Sequence, residues 1–328
     1  MLGTSVDCGR RASVSMSISS RQNEERQLQR LAAQRQLYAS AKRLLGWQML
    51  LSGPLAAATA LLGMLWPETK PYVGLWGFTL LLLDGLWLTP RQRRLRELAA
   101  LIQEHFDVDV LQLKWNAFKV GSEPPPELVH EQAERYRRRA DPLSPLADWY
   151  PRIVDTLPLP LARLVCQRAN LAWDGGQRRS YAAAVAGVLL AIVLIVLWAA
   201  LALRLTMSDV LLVVVLPMSA SLKIGYQQWT EHRQAADKLD RLRERAERAW
   251  REALRQPEAP SVDEDARALQ NEIYDARRGN PLVFDFVFKR LRAKHEAQMQ
   301  FAAEALVAEA QRALVSGGAA PDVRSSDA

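Results

Sequence analysis

Four apolar blocks interrupt an otherwise charge-rich chain. Blocks 44–66 and 181–203 each run for 23 residues, while 72–89 and 210–226 are shorter. A helix crosses the bilayer core in roughly 20 apolar residues, with a lower bound near 17. The third block contains VAGVLLAIVLIVLWAALAL, which has no polar face, so a core helix of a soluble protein is disfavoured. The second block carries Asp84, and the fourth carries Pro217 and Lys223. Segments 67–70 and 204–209 are too short for anything but turns, so the blocks pair as two helical hairpins. The fold class expected is a mainly α membrane protein: four transmembrane helices as two hairpins, with a mostly helical cytoplasmic domain carrying minor β structure.

The polar stretches divide around these hairpins at 44–89 and 181–226. Residues 1–20 are Ser-rich and expected to be disordered. Residues 21–43 read as a basic amphipathic helix with Leu28, Leu31, Tyr38 and Leu45 on one side, where Arg35 and Lys42 interrupt the stripe. Residues 90–180 form a cytoplasmic domain. Within it 91–106 is helical, FDVDVLQLKW alternates over Phe106, Val108 and Val110 as a strand would, GSEPPPE breaks the chain, and 127–139 is helical. Residues 227–315 are a cytoplasmic helical region. Its first helix, 227–255, has a seam at Ala235, Leu239, Leu242, Ala246, Ala249 and Ala253 that serves either packing on the 90–180 domain or self-association. SVDE at 261–264 reads as a capping box. Ala266, Leu269, Ile273 and Ala276 form the stripe of the helix that follows. RRGNPLVFDF at 277–286 is a break, a last helix runs to about Leu314, and 316–328 is a disordered tail.

Charge sets the orientation. Of 43 Lys and Arg, only Lys70 and Arg204 fall in the hairpin turns, and the other 41 lie in the remaining polar segments. Basic residues are retained on the cytoplasmic side, which places both termini in the cytoplasm. Trp47, Trp66, Tyr72, Trp87, Tyr181 and Tyr226 stand near block ends as interfacial aromatics do. So little chain faces outward that a surface receptor is disfavoured. No apolar run marks a signal peptide in the first 40 residues, and Met16 is an alternative start. Asp84 lies about 9 Å inside the cytoplasmic end of its helix at 1.5 Å per residue. It either contributes to a ring of carboxylates in an assembled pore, bonds Ser219 or Ser221, or snorkels. Ala183, Gly187 and Ala191 form a small-residue stripe suited to close helix packing, within one subunit or between copies. Pro217 and Ser219 in the fourth block join them as pore or packing candidates.

No enzyme is expected. There is no phosphate-binding loop, dinucleotide fingerprint or zinc-protease motif. The two cysteines and four scattered histidines make no metal set, so neither metal nor cofactor is expected. DVDVLQLK has the residue types of a nuclease core, but on a single strand alternation sends its carboxylates and lysine to opposite faces. What remains is a group of aromatic, Arg and Asn side chains in the cytoplasmic part: Trp115, Asn116, Arg135, Tyr136, Trp149, Tyr150, Arg168, Asn170, Trp173 and Asp174. Aromatic faces stack on bases and guanidinium groups grip phosphates, so the set suits a small anionic nucleotide. Composition alone weights the same residues toward the core and the membrane collar.

The motifs RQNEERQLQRLAAQRQLYASAK, DVDVLQLKWN, PLADWY, CQRANLAWD with RRSY, and LQNEIYDARRGNPLVFDF follow in this order from residue 21 to about 312. Together with the two hairpins they resemble the SMODS-associated four-transmembrane effectors, bacterial proteins encoded beside cyclic-oligonucleotide synthases in CBASS antiphage systems. The resemblance implies an effector that binds a cyclic nucleotide second messenger, self-associates and permeabilises the inner membrane in abortive infection. Its partners would be the lipid bilayer, the cyclic oligonucleotide, further copies of itself and, functionally, the synthase, with no polymeric nucleic acid. It carries over no catalytic residues. The alternatives are a membrane-anchored scaffold recruiting a cytoplasmic partner and, less well supported, a small-solute transporter. Residues 166–181 join the cytoplasmic domain to the third block, and Arg178 and Arg179 are expected to anchor that helix at anionic headgroups.

Overall fold

The computed structural model describes residues 17–317 apart from 56–57, 60–61, 63–64, 140–145, 203, 205 and 208–215. Inside helices it leaves out the side chains of 67, 70, 199–200, 216–221 and 285–295. A short helix α1 (Ile18–Gln22) is capped by Ser17 Oγ, which accepts from the Ser20 amide at 3.2 Å. Helix α2 (Glu25–Leu50) runs on into a π-helical turn, Leu51–Leu55. A 3-10 turn at Pro67–Thr69 leads into α3 (Lys70–Leu83), a second π-helical turn (Asp84–Leu88) and α4 (Thr89–Val110). Short helices α5 (Ala117–Val120) and α6 (Pro126–Arg137) follow. The remainder is built from α7 (Leu159–Ala202), α8 (Leu216–Arg255), α9 (Pro260–Gly279) and α10 (Asp285–Gly317).

The charge-rich segments fold around one core. Leu31 and Leu37 of α2, Ile102 and Phe106 of α4, Leu161 and Leu164 of α7, Leu239 of α8, Ala266 of α9 and Val307 of α10 share it. Each stripe recurs every three or four residues, so the helices are held by burying one face each. The α8 seam is used here: Ala235, Leu239, Leu242, Ala246 and Ala253 are buried inside the same chain, which settles that choice in favour of packing within the domain.

Several expectations are corrected. No strand occurs among the described residues, and 106–110 ends α4. Five alternating residues cannot separate a strand from a helix buried on several sides. Here Asp107, the polar position between Phe106 and Val108, is itself fully buried as an ion-pair partner. The start of α9 is Pro260, preceded by Ala259 with no side-chain cap, so Ser261 lies inside the first turn and the capping box is not formed. Proline at the first helical position sets that start. Residues 18–20, inside the stretch read as disordered, belong to α1, and Ile18 is buried. Tyr181 is not a collar residue: it is buried against His232, with ring centroids 4.3 Å apart.

Two helices among the described residues are long and apolar enough to cross a membrane, within Pro71–Val110 and Leu159–Trp198. Only 6% and 11% of their most apolar stretches are buried, which fits lipid contact and not a soluble core. The outer two expected spans, 44–66 and 210–226, fall partly on residues outside those described. Asp84 is half-buried and accepts hydrogen bonds from Gln48 Nε2 at 2.7 Å and Thr89 Oγ1 at 3.4 Å. Its partner thus sits on α2; the side chains of Pro217, Ser219 and Ser221 lie outside the described residues. Ala183, Gly187 and Ala191 are exposed, and a Cβ added at Gly187 would meet nothing within 4 Å. The close approach of α7 to α8 is instead at Gly225, where an added Cβ would stand 2.7 Å from Leu189 Cδ2.

Candidate functional site: a cationic cavity at the edge of the helical core

Helical spacing builds the site. Arg35, Tyr38 and Lys42 on α2, Asn170, Trp173, Asp174, Gln177 and Arg178 on α7, and Ile273, Ala276 and Arg277 on α9 with its C-cap Asn280 recur at three- and four-residue intervals. Each set therefore presents one face. The three faces, with Tyr136 and Trp149, enclose a cavity of about 540 Å³. That size suits a small organic ligand. Lys42 and Arg178 stand just before the apolar blocks, so the cavity lies where α2 and α7 leave the helical core.

Four cations, Arg35, Lys42, Arg178 and Arg277, face one carboxylate, Asp174. The Arg35 guanidinium lies over the Trp149 ring at 5.8 Å, a cation–π contact that holds both side chains. Arg178 pairs with Asp174 at 3.0 Å and donates to the Pro281 carbonyl at 2.7 Å. It therefore does not anchor α7 at headgroups; Arg179, exposed and paired with Asp240, is the only one of the two at the surface. Burial pushes the Tyr38 phenol up to about 12, so it stays a neutral donor at the cavity wall.

Behind the wall lies a buried ionic network. Arg277 pairs with Asp107, which also accepts from Tyr150 Oη at 2.8 Å and Gln270 Nε2 at 2.9 Å. Arg267 pairs with Glu104 at 2.6 Å. Burial alone would depress Arg277, but the charge of Asp107 outweighs it and raises the guanidinium further, so it remains cationic. Burial raises Glu104 against the opposing pull of Arg267. Arg277 thus belongs to both cavity and network, and so does Asn170, whose Nδ2 donates to Tyr150 Oη at 3.0 Å.

From the cavity a five-residue segment, 280–284, leads toward the apolar stretches of α2 and α7. The Asn280 carbonyl accepts from Arg96 at 3.3 Å. Leu282 packs with Ala41 and Leu45 of α2, and Val283 packs with Tyr181 of α7; Phe284 touches both clusters. His232 lies beside Tyr181, and burial, helped by the positive Arg178, depresses its imidazole to about 3.

Of the ten ligand candidates, the fold brings Tyr136, Trp149, Asn170, Trp173 and Asp174 together. Tyr150 is buried in the network behind them. Arg168 pairs with Glu247 at 3.0 Å and lines, with Trp173, a separate cavity of about 60 Å³ against α10. Three lie elsewhere. Trp115 donates to the Gly121 carbonyl at 2.9 Å, Asn116 caps α5 by accepting from the Lys119 amide at 3.2 Å, and Arg135 is exposed beside Glu131. The residues missed are Arg35, Tyr38, Lys42, Gln103, Arg277 and Asn280. The available signal was the interruption of the α2 stripe by Arg35 and Lys42: cations on a core-facing side need a polar space to face. No group of His, Cys, Asp and Glu able to hold a metal occurs among the described residues.

The family model for the SMODS-associating 4TM effector domain matches residues 16–306. A probable CBASS effector molecule of Bacillus cereus (strain VD146) is 22% identical over 146 residues. That match takes in 44% of this chain and 48% of the relative, so about half of the relative's length is spanned. No solved structure matches the chain. With the family model covering most of the sequence, the chain belongs to the SMODS-associating 4TM effector family.

Proposed function

We propose that this protein is a CBASS membrane effector that binds a cyclic oligonucleotide in the cytoplasmic cavity and responds by permeabilising the inner membrane. The observation that carries this reading is the cavity wall, where Arg35, Lys42, Arg178 and Arg277 stand among Tyr38, Tyr136, Trp149 and Trp173. Guanidinium groups bind phosphate oxygens in pairs, and aromatic faces take bases. The family and the relative's printed name supply the defence context and the link to a cyclic-oligonucleotide synthase.

Transmission follows from the walls being shared. A phosphate competing for Arg178 or Arg277 draws on Asp174, Asp107 and the Pro281 carbonyl. The same segment, through Leu282 and Val283, wedges between α2 and α7 where they enter the membrane. In this reading four spans form two hairpins with cytoplasmic termini, and copies associate through the uncovered Ala183, Gly187 and Ala191 face. Asp84 with Gln48 then supplies a polar, cation-favouring point near the inner mouth of the pore.

The test is calorimetry of cyclic di- and trinucleotides with the full chain in detergent. Trp173→Ala and Trp149→Ala should each weaken binding by roughly 1–3 kcal/mol per base lost from a stack while the fold persists. Unchanged affinity in both folded variants would return these residues to the collar and refute the site.

A further inference from the structure

On three elements a tryptophan and an exposed arginine stand four residues apart. They are Arg43 and Trp47 on α2, Trp87 and Arg91 across the π-helical turn into α4, and Trp229 and Arg233 on α8. Trp47 is 58% exposed and Trp87 56%, while Trp229 is half-buried beside Tyr226, with ring centroids 5.7 Å apart. Four residues is about one helical turn, so each pair shares a face. In every pair the arginine lies on the side of the helical core and the tryptophan on the side of the apolar block. On α8 the contact is direct, with the Arg233 guanidinium over the Trp229 ring at 5.8 Å. The pairs also share a depth. Gln48 donates to Asp84 at 2.7 Å, which sets Trp47 and Trp87 within a turn of each other. The clusters of Leu45 and of Tyr181 both pack against Phe284, and Tyr181 lies on His232, so Leu45 and His232 are level. Trp47 and Trp229 stand two and three residues beyond them toward the apolar blocks. Helix α7 contributes no such pair: Arg178 turns inward to Asp174 and the Pro281 carbonyl.

We infer that the three Trp–Arg pairs form a girdle that binds anionic phospholipid headgroups, each guanidinium on a lipid phosphate and each indole just below it. The inference goes beyond the nucleotide reading of the cavity and needs only that the apolar stretches lie in lipid. Tryptophan suits that level because its ring is apolar and its N–H is a donor. Arginine meets phosphate oxygens in pairs, and an anionic leaflet attracts basic residues that stand close to it. A zwitterionic lipid offers the same phosphate but offsets it with its own cation, so the girdle favours lipids of net negative charge. The exposed acids nearest on α8 do not cancel it. Glu231 lies on the opposite face from Trp229 and Arg233, and Asp237 is a full turn nearer the core.

The experiment is native mass spectrometry of the full chain in detergent, with phosphatidylglycerol and phosphatidylcholine supplied in equal amounts. Wild type should retain phosphatidylglycerol over phosphatidylcholine by about fivefold at each pair, the factor that about 1 kcal/mol per basic residue gives. Arg233→Gln should lower the preference by about that factor, and Arg43→Gln, Arg91→Gln and Arg233→Gln together should bring the ratio to about one. All three side chains are exposed, so the fold persists without them. Should the triple variant fail to fold, Arg233→Gln carries the test alone. Arg135→Gln removes the same charge from an exposed position beside Glu131 and should leave the ratio unchanged. Equal retention of the two lipids by wild type, or a folded triple variant that keeps the preference, overturns the girdle. So does an Arg135→Gln variant that loses as much as Arg233→Gln, since net charge alone would then set the preference. Each of these outcomes is independent of nucleotide binding in the cavity, which the calorimetry above tests.

Discussion

The two ends of helix α7 hold similar apolar residues under opposite conditions. Leu161, Leu164, Val165 and Cys166 are at most 1% exposed, whereas Val188, Leu190, Val193 and Leu197 are 55–60% exposed. Hydrophobicity does not separate them; punctuation does. In the first half polar side chains recur along the helix and find partners. Arg163 donates to the Leu111 carbonyl, Gln167 to the Ala266 carbonyl, Asn170 to Tyr150, and Arg178 to the Pro281 carbonyl. The second half has no such residues, so its backbone is satisfied internally and its side chains are left to lipid. A domain helix is thus recognised by apolar residues interrupted at helical spacing, and a membrane helix by their continuity.

The sharpest break falls on the punctuated side. Arg277→Ala leaves Asp107 buried without its cation and should cost about 3–5 kcal/mol, read by denaturant unfolding of the helical core. A matched pair comes next. Leu164→Ala should destabilise that core by about 2–5 kcal/mol through an unfilled cavity, while Leu194→Ala, in the uncovered half, should leave the same transition within about 0.5 kcal/mol. Equal effects of the two would erase the distinction between the halves.

His232 sits at the junction and predicts a pH dependence. Its folded pKa of about 3 lies below the ordinary value of 6.5. The unfolded chain therefore takes up a proton that the folded one refuses. The stability held above pH 6.5 is lost as pH falls from there toward 3, by about 2 kcal/mol between pH 6.5 and 5. His232→Phe should flatten that part of the pH profile. The smallest effect belongs to Arg135, exposed beside Glu131: Arg135→Ala should change stability by no more than about 0.5 kcal/mol.

Much of this was legible in the chain, for physical reasons that can be named. The stripes of α2, α8 and α9 could be read because burial of one helical face imposes a period on the sequence. The apolar half of α7 could be read because it runs on with no charged residue to interrupt it. The misreading of Phe106, Val108 and Val110 as a strand came from treating Asp107 and Asp109 as solvated; Asp107 is buried and Asp109 is held by Arg30 at 2.7 Å. Half of the candidate ligand residues converged because 166–181 and the aromatic rim were already conspicuous. Asn280 and Arg277 were not, since their importance depends on three helices distant in sequence meeting at one place, which no local pattern records. Asn116 and Trp115 share residue types with the cavity, yet turn chemistry claims them.

The central claim is that a ligand in the cytoplasmic cavity acts on the membrane half, and sealed liposomes test it most directly. Full-length protein reconstituted with its cytoplasmic domain outward should release an entrapped dye when a cyclic oligonucleotide is added. Release should be lost in a folded Trp149→Ala, Trp173→Ala double variant. Leakage that is the same with and without ligand, or that persists undiminished in the double variant, would contradict it.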